Sequence, residues 1–413
     1  MNLVNSSTQG KYIELEKSFG AHNYRPLPIV LKKGLGPFLW DLNNKKYFDF
    51  LSAYSSLNQG HCHPELLKVL FNQASKLTLT SRAFYNNTLG EFEEFICSLF
   101  KYDKVLPRNS GVEAAETAVK LARKWGYEKK GVKMNNAKII FPKNNFWGRS
   151  IAAISTSTNP VAYSNFGPLL SGFEIIPYDN LNFLEEKLKN PDCVAFMLEP
   201  IQGEAGIIVP SDGYLSKAKY LCQKYNVLLI ADEIQTGLGR TGKMLATDYE
   251  DVKPDILVLG KALSGGMMPI SAVLASNEIM LCLQPGEHGS TFGGNPLSAK
   301  VAKKSIEIII NEKLSENAFE LGCLFRKSLD DYISNSSIVK LIRGKGLLNG
   351  LVIDDDGKGN KAWQICVDLM KNGLLAKPTN RNVIRFAPPL VINKTQIQQA
   401  IVIIKSTLVK FEQ

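Results

Sequence analysis

Val227-Leu-Leu-Ile-Ala-Asp232-Glu233-Ile-Gln235 and, a short distance on, Ile256-Leu-Val-Leu-Gly-Lys261-Ala-Leu-Ser-Gly-Gly266 decide how this chain folds. Each is a continuous apolar run that closes on a charged side chain. A run without polar alternation is a strand buried on both faces, the habit of parallel sheets covered by helices. The same pattern recurs at Lys138-Ile-Ile-Phe141, Phe173-Glu-Ile-Ile176, Cys193-Val-Ala-Phe-Met-Leu198 and Ile270-Ser-Ala-Val-Leu274. Between the strands, Tyr214 to Tyr225 carries apolar residues at 214, 215, 218, 221, 222 and 225, a helical stripe. From about residue 105 the chain therefore reads as an α/β unit with a mostly parallel sheet. The ends differ. Pro26, Pro28, Gly34, Gly36 and Pro37 mark a turn-rich start followed by a hairpin around Leu39 to Phe48. A long helix begins near Pro296, and from about 315 a smaller unit of helices and short strands follows. The expected division is an N-terminal segment 1–54, a large domain 55–314, and a C-terminal part 315–413 that forms a small α+β domain with the N-terminal segment.

Length and composition agree. At about 150 residues per domain, 413 residues make two to three domains, and 45% hydrophobic with 21% charged residues excludes disordered and collagen-like chains. No apolar run approaches the roughly 18 to 20 residues that cross a bilayer. The net charge of +10 is scattered; its densest stretch, Lys120 to Lys138, reads as a solvated helix face and loop, not a nucleic-acid site. Seven cysteines without a Cys-x-x-Cys pair encode neither a disulfide framework nor a zinc module. A reducing compartment follows. The first twenty residues carry Glu14 and Glu16, no Arg and no apolar core, so the cytosol is expected.

Ligands of such sheets gather at the carboxyl ends of the strands, where Asp232 and Lys261 stand. A Lys leaving a buried strand among small residues is poorly hydrated, which lowers its pKa and suits a Schiff-base nucleophile. An Asp beside it can hold a pyridinium nitrogen protonated. Taken singly, each is equally a polar residue exiting a strand. Asn109-Ser110-Gly111-Val112-Glu113 opens a helix with a Ser110/Glu113 capping box and a glycine, so its free amides suit a phosphate or simply begin a capped helix. Phe146-Trp147-Gly148-Arg149 offers a planar cofactor an aromatic face and a carboxylate a guanidinium, or is a packed aromatic pair beside a surface Arg. Arg385, in Ile384-Arg-Phe-Ala-Pro-Pro389, implies a salt bridge or a substrate contact. Gly237-Leu-Gly-Arg-Thr-Gly242 matches a dinucleotide pattern but does not lead from strand straight into helix, so it reads as a mobile or tightly turning active-site loop. His61-Cys62-His63 lacks a third ligand at zinc spacing and reads as a turn before Pro64; no metal is expected.

With these residues in view, the chain from about Gly20 onward resembles the class III, fold-type I pyridoxal-phosphate aminotransferases, and within them the branch that uses ornithine. The resemblance rests on Gly20-Ala-His-Asn-Tyr24, Gln59-Gly-His-Cys-His-Pro64, Thr80-Ser-Arg-Ala-Phe-Tyr-Asn-Asn87, Glu199-Pro-Ile-Gln-Gly-Glu204, Ala231-Asp-Glu-Ile-Gln-Thr-Gly237, Gly289-Ser-Thr-Phe-Gly-Gly-Asn-Pro296 and the segment around Arg385. It implies a seven-stranded sheet and pyridoxal 5'-phosphate as cofactor. It implies that Lys261 bonds the cofactor and then shuttles the proton, that Asp232 pairs with the ring nitrogen, that Gln235 meets the ring oxygen, and that Phe146 stacks on the ring. The phosphate is implied on Ser110, Gly111 and Val112, with Ser290 and Thr291 arriving from the second subunit of a homodimer.

The same resemblance implies the substrates. Tyr24 and Arg149 hold the α-amine and α-carboxylate of L-ornithine, and Arg149 then serves the distal carboxylate of 2-oxoglutarate. Arg385 binds the α-carboxylate of the oxo acid, and Glu204 neutralises Arg385 while ornithine is bound, supported by Tyr54. The implied reaction gives glutamate 5-semialdehyde, which cyclises to 1-pyrroline-5-carboxylate, and glutamate, by ping-pong kinetics. Rivals are a class III enzyme acting on N-acetylornithine or 4-aminobutyrate, a catalytically idle cofactor-binding protein, and a nicotinamide oxidoreductase.

Overall fold

The computed structural model describes residues 8–355 and 359–412. Three strands open the chain, β1 (Leu31–Leu35), β2 (Phe38–Asp41) and β3 (Lys46–Asp49), with β2 and β3 forming the expected hairpin. Seven follow: β4 (Lys104–Arg108), β5 (Lys138–Pro142), β6 (Phe173–Ile176), β7 (Cys193–Leu198), β8 (Leu228–Asp232), β9 (Ile256–Leu259) and β10 (Ser271–Ala275). They make one sheet in the order β4-β10-β9-β8-β7-β5-β6. Only β10 runs against its neighbours. The reading thus had the sheet right but missed β4, whose Pro107 and basic ends break the apolar pattern that marks the central strands.

β7, β8 and β9 are buried along their whole length, which is why they read as unbroken apolar runs. Both faces are covered. The helix Gly111–Glu128 packs on one side through Ala115, Ala118, Leu121, Ala122 and Trp125 against Met197, Ile230 and Val258. On the other, Tyr214, Leu215, Ala218 and Leu221 of the helix Tyr214–Lys224 meet Phe196, Leu198 and Leu229.

The C-terminal strands are β11 (Val339–Lys345), β12 (Leu348–Ile353), β13 (Leu374–Leu375), β14 (Lys377–Thr379) and β15 (Val383–Phe386). Four of them form the sheet β11-β12-β15-β14, while β13 pairs in parallel with β3 and completes the sheet β1-β2-β3-β13. The two ends of the chain thus share a sheet and a core, in which Phe50, Phe325 and Phe386 meet edge to face or tilted. The helix Leu314–Ile333 begins one residue before the expected 314/315 boundary.

The Gly237–Gly242 loop departs from expectation. It turns tightly, one of the two forms expected, but none of its residues lines the main cleft. Arg240 within it is fully buried, donating through Nη1 to the carbonyls of Leu347 (3.0 Å) and Pro388 (2.6 Å) and through Nη2 to Asn58 Oδ1 (2.6 Å). Gly239 and Gly242 take the positive φ values of 88° and 95° that this turn requires. The two histidines before Pro64 are structural: His61 pairs with Asp49 at 2.7 Å and His63 with Glu312 at 3.0 Å.

Candidate active site

Four neighbouring parallel strands deliver their next residues to one rim. Past β5 comes the turn Phe146–Arg149, past β7 Glu199, at the end of β8 Asp232, and past β9 Lys261. Together with Gly111, Val112, Trp147, Gly148, Ile234, Gln235 and Thr236, they line a cleft of ≈ 460 Å³ including its open mouth. A crevice at strand carboxyl ends is where α/β sheets bind ligands.

Lys261 stands in a left-handed conformation at φ 43°, unusual for a residue with a Cβ and typical of strain kept at functional positions. Burial pushes its amine below the ordinary lysine range, only partly opposed by Asp232 and Glu204. Burial raises Asp232 to about 6, against the amide of Ile234, which donates to Oδ1 at 3.0 Å, and against Lys261. Asp232 is therefore ionised at neutral pH and near enough to the Lys261 amine to act on it electrostatically. Behind it, Glu233 is raised to about 7 by burial and is held by the Thr236 hydroxyl and the Thr247 amide.

The start of the helix Gly111–Glu128 carries the predicted capping box. Glu113 N donates to Ser110 Oγ (3.3 Å) and Ser110 N to Glu113 Oε2 (2.8 Å). The amides of Gly111 and Val112 precede the first intrahelical bonds and face the cleft, a ready anion site. The two glycines beside it leave little room for a side chain, Gly148 least of all. A Cβ on Gly111 would come within 3.0 Å of Ile234, and one on Gly148 within 2.4 Å of Val112. Phe146 lies half-buried at the rim with Arg149 over its ring, 5.6 Å from the centroid. Gln235 points into the site; its Oε1 is buried without a partner, and its Nε2 lies 3.4 Å from Glu204.

Arg385 on β15 is 1% exposed. Its Nη2 donates to Glu204 Oε1 (2.7 Å) and Thr379 Oγ1 (2.9 Å), but Nε and Nη1 have no partner, and Tyr54 lies 5.4 Å below the guanidinium. A buried guanidinium that uses one of its three nitrogens is primed for a carboxylate. Burial pushes the Glu204 carboxyl up, yet Arg385, helped by Lys261 and Gln235, makes the net shift downward, so the pair is ionic. Tyr54 sits in a turn, Ser52–Ser55, whose four residues all have positive φ. Burial and then Glu204 raise its phenol. Tyr24 is 71% exposed but close enough to act on Tyr54 electrostatically. Arg149 is exposed at the mouth.

The structure thus brings together Lys261, Asp232, Gln235, Gly111, Val112 and Phe146 around the cleft, with Ser110 capping the helix start. Arg385, Glu204, Tyr54 and Tyr24 form an adjoining group. Ser290 and Thr291 do not line the cleft of their own chain; Ser290 Oγ accepts from Asn109 Nδ2 at 3.0 Å. Sequence reading assigned no role of its own to Glu199 or Thr236. Glu199 was detectable, as a second carboxylate, besides Asp232, placed where an apolar strand ends. The donor set fits pyridoxal phosphate: an amine for its aldehyde, a carboxylate for its ring nitrogen, free helix amides for its phosphate, and an unpartnered amide oxygen beside the ring site.

The model of the class-III aminotransferases matches residues 19–408. The chain is 60% identical over 393 residues to a Drosophila melanogaster protein named mitochondrial ornithine aminotransferase, covering 95% of this chain and 90% of that one. Among solved structures, it resembles the Toxoplasma gondii ornithine aminotransferase, crystallised with partial occupancy of PLP at the active site, at a TM-score of 0.97 and 46% identity, over 99% and 96% of the two chains. It is also 52% identical to an Elizabethkingia anophelis structure described as an acetylornithine aminotransferase, with a TM-score of 0.90 over 98% and 100% of the chains.

Proposed function

The chain belongs to the class-III aminotransferases, and we propose that it is an ornithine δ-aminotransferase, moving the δ-amine of L-ornithine to 2-oxoglutarate in two half-reactions. The products are glutamate 5-semialdehyde, which cyclises to 1-pyrroline-5-carboxylate, and glutamate. When bound, pyridoxal phosphate supplies the carbonyl that takes up the amine and a cationic ring that withdraws electrons from the reacting carbon. Everything else falls to the protein. Lys261 Nζ, its basicity lowered by burial, removes and returns the proton at the carbon that carries the amine. Asp232 presents a carboxylate to the ring nitrogen. Ser110, Gly111 and Val112 hold the phosphate, Phe146 covers the ring and Gln235 meets its oxygen.

The observation that carries the substrate reading is the Arg385–Glu204 pair, 2.7 Å apart with two guanidinium nitrogens unpartnered. While ornithine occupies the site, Glu204 cancels Arg385, so the substrate's own carboxylate is directed to Arg149 and its α-amine to Tyr24, leaving the δ-amine to react. An uncovered Arg385 would instead attract the α-carboxylate and select the wrong amine. When the oxo acid enters, its α-carboxylate displaces Glu204 from Arg385, and Arg149 takes the distal carboxylate.

We also read the protein as a homodimer in which Ser290 and Thr291 complete the partner's phosphate site. The exposed Phe84, Tyr85 and Phe292 support it, since aromatics left in water favour burial against a second copy. The division 1–54, 55–314 and 315–413 is part of the same reading, supported by the β3–β13 pairing that joins both chain ends. Among the described residues no helix is long and apolar enough to cross a membrane. A cytosolic placement is supported here only by the free cysteines. The Drosophila relative is named mitochondrial, and fractionation of the native source decides between the compartments.

The 52% identity to a protein described as an acetylornithine aminotransferase favours N-acetylornithine as the competing substrate. The visible spectrum separates the two. The expected result is a yellow protein that bleaches with L-ornithine alone and regains its band on adding 2-oxoglutarate; stronger bleaching by N-acetylornithine or 4-aminobutyrate moves the function to a sister enzyme. Lys261→Ala should lower turnover by about a thousandfold or more, and retained activity would remove that lysine from the mechanism.

A further inference from the structure

Glu199 follows β7 directly and is buried at the back of the cleft. Its two oxygens serve different loops. Oε1 accepts the amide of Phe146 at 3.0 Å, and Oε2 accepts the amide of Gly203 at 3.1 Å. Phe146 opens the turn that ends in Arg149, and Gly203 immediately precedes Glu204. The loops are joined a second time where Gln202 Nε2 donates to the carbonyl of Lys143 at 2.9 Å. The backbone between them is pinned by the Tyr178 hydroxyl, which donates to the carbonyls of Glu199 and Pro200, each at 3.0 Å. Gly203 also lies close against the turn that follows β8: a Cβ there would fall 2.0 Å from Gln235 Oε1. Burying a carboxyl is costly unless its oxygens are used, and here each oxygen holds one of the two loops.

We propose that Glu199 is a positioning residue for transamination: one carboxyl group sets the spacing between the Arg149 turn and the Glu204 turn, and so the length of substrate the site accepts. The inference rests on the reading that Arg149 and Arg385, covered by Glu204, grip the two ends of the substrate. A glutamine at 199 keeps one acceptor oxygen but turns an NH2 toward the other amide, so it can hold only one loop. A methionine holds neither.

The test uses the holoenzyme with two readouts. In steady-state assays, Glu199→Gln should raise the KM for 2-oxoglutarate about tenfold, the loss expected for one buried hydrogen bond, while kcat changes much less. Its preference for this five-carbon oxo acid over four-carbon oxaloacetate and six-carbon 2-oxoadipate should narrow. By hydrogen exchange, Glu199→Gln should accelerate exchange in one of the segments 143–149 and 201–206, and Glu199→Met in both. Unchanged exchange in both segments, or a fall in kcat with the length preference intact, would overturn the proposal. If the wild-type enzyme does not use 2-oxoglutarate, the functional reading fails, while exchange still decides whether Glu199 ties the loops. Should Glu199→Met not fold, Glu199→Gln carries the test alone.

Discussion

At the scale of single residues, the site runs on misplaced protons and unpaired donors. Three buried carboxyls, Glu199 raised to about 8, Glu233 to about 7 and Asp232 to about 6, hold protons more tightly in the folded chain than the ordinary carboxylate range near 4 allows in the unfolded one. For Glu199 the causes are burial first, then the neighbouring Asp232. A raised folded-state pKa means that the folded protein binds more protons between about pH 4 and 8, so these groups make stability fall as pH rises through that window. The expected outcome is that the wild type loses more thermal stability from pH 5 to pH 8 than Glu199→Gln does, compared by calorimetry in the same cofactor state; parallel pH profiles would refute the assignment. Tyr24 belongs to the same scale. If its hydroxyl reads the α-amine, Tyr24→Ile should raise the KM for ornithine about tenfold, as expected for one hydrogen bond to a charged group, and leave 4-aminobutyrate nearly unchanged. Equal losses on both amines would show that it does not.

At the scale of elements, strand ends and a helix start do the positioning. Lys261 and Asp232 line the same cleft because β8 and β9 are parallel neighbours, with Asp232 in register with Val258. The helix Gly111–Glu128 keeps its first amides free for an anion because Ser110 and Glu113 satisfy their neighbours. Ser110→Ala should therefore cost about 1 kcal/mol of stability in denaturant unfolding and weaken cofactor binding as well. A stability loss with unchanged cofactor affinity would mean that the cap serves the helix alone. Both the capping box and the helix were legible in the sequence, since they depend on residues three positions apart. The left-handed turn Ser52–Ser55 was not. It contains no glycine, and its conformation is imposed by bonds made far along the chain, such as Ser52 Oγ to the carbonyl of Ala387 at 2.7 Å.

At the scale of the whole molecule, the site depends on a buried cation that the chemistry does not use. Arg240 joins the loop after β8 to Asn58 near the N-terminus and to Leu347 and Pro388 near the C-terminus, and Pro388 lies three residues past Arg385. Burial lowers its guanidinium to about 9, with Asp49 opposing, so it stays charged at neutral pH. Arg240→Met preserves volume but strips three buried acceptors of their donor. It should cost at least ~2 kcal/mol and raise the KM for 2-oxoglutarate; a variant with wild-type melting temperature and KM would show the three-way tie to be dispensable. By itself, the sequence determined the parallel sheet, its central strands, the capped helix and the chemical character of Lys261 and Asp232, because periodicity, capping and strand-end polarity are local properties. Only the tertiary structure decided that Arg385 is covered by Glu204 yet keeps two nitrogens unpartnered, that Glu199 holds two loops, and that a glycine-rich loop resembling a nucleotide site anchors both chain ends. Those facts depend on pairs as far apart as Glu204 and Arg385, which meet only when β15 is laid beside the large sheet. Burial then sets how strongly each charge is felt, and that is fixed by packing, not by neighbours in the chain.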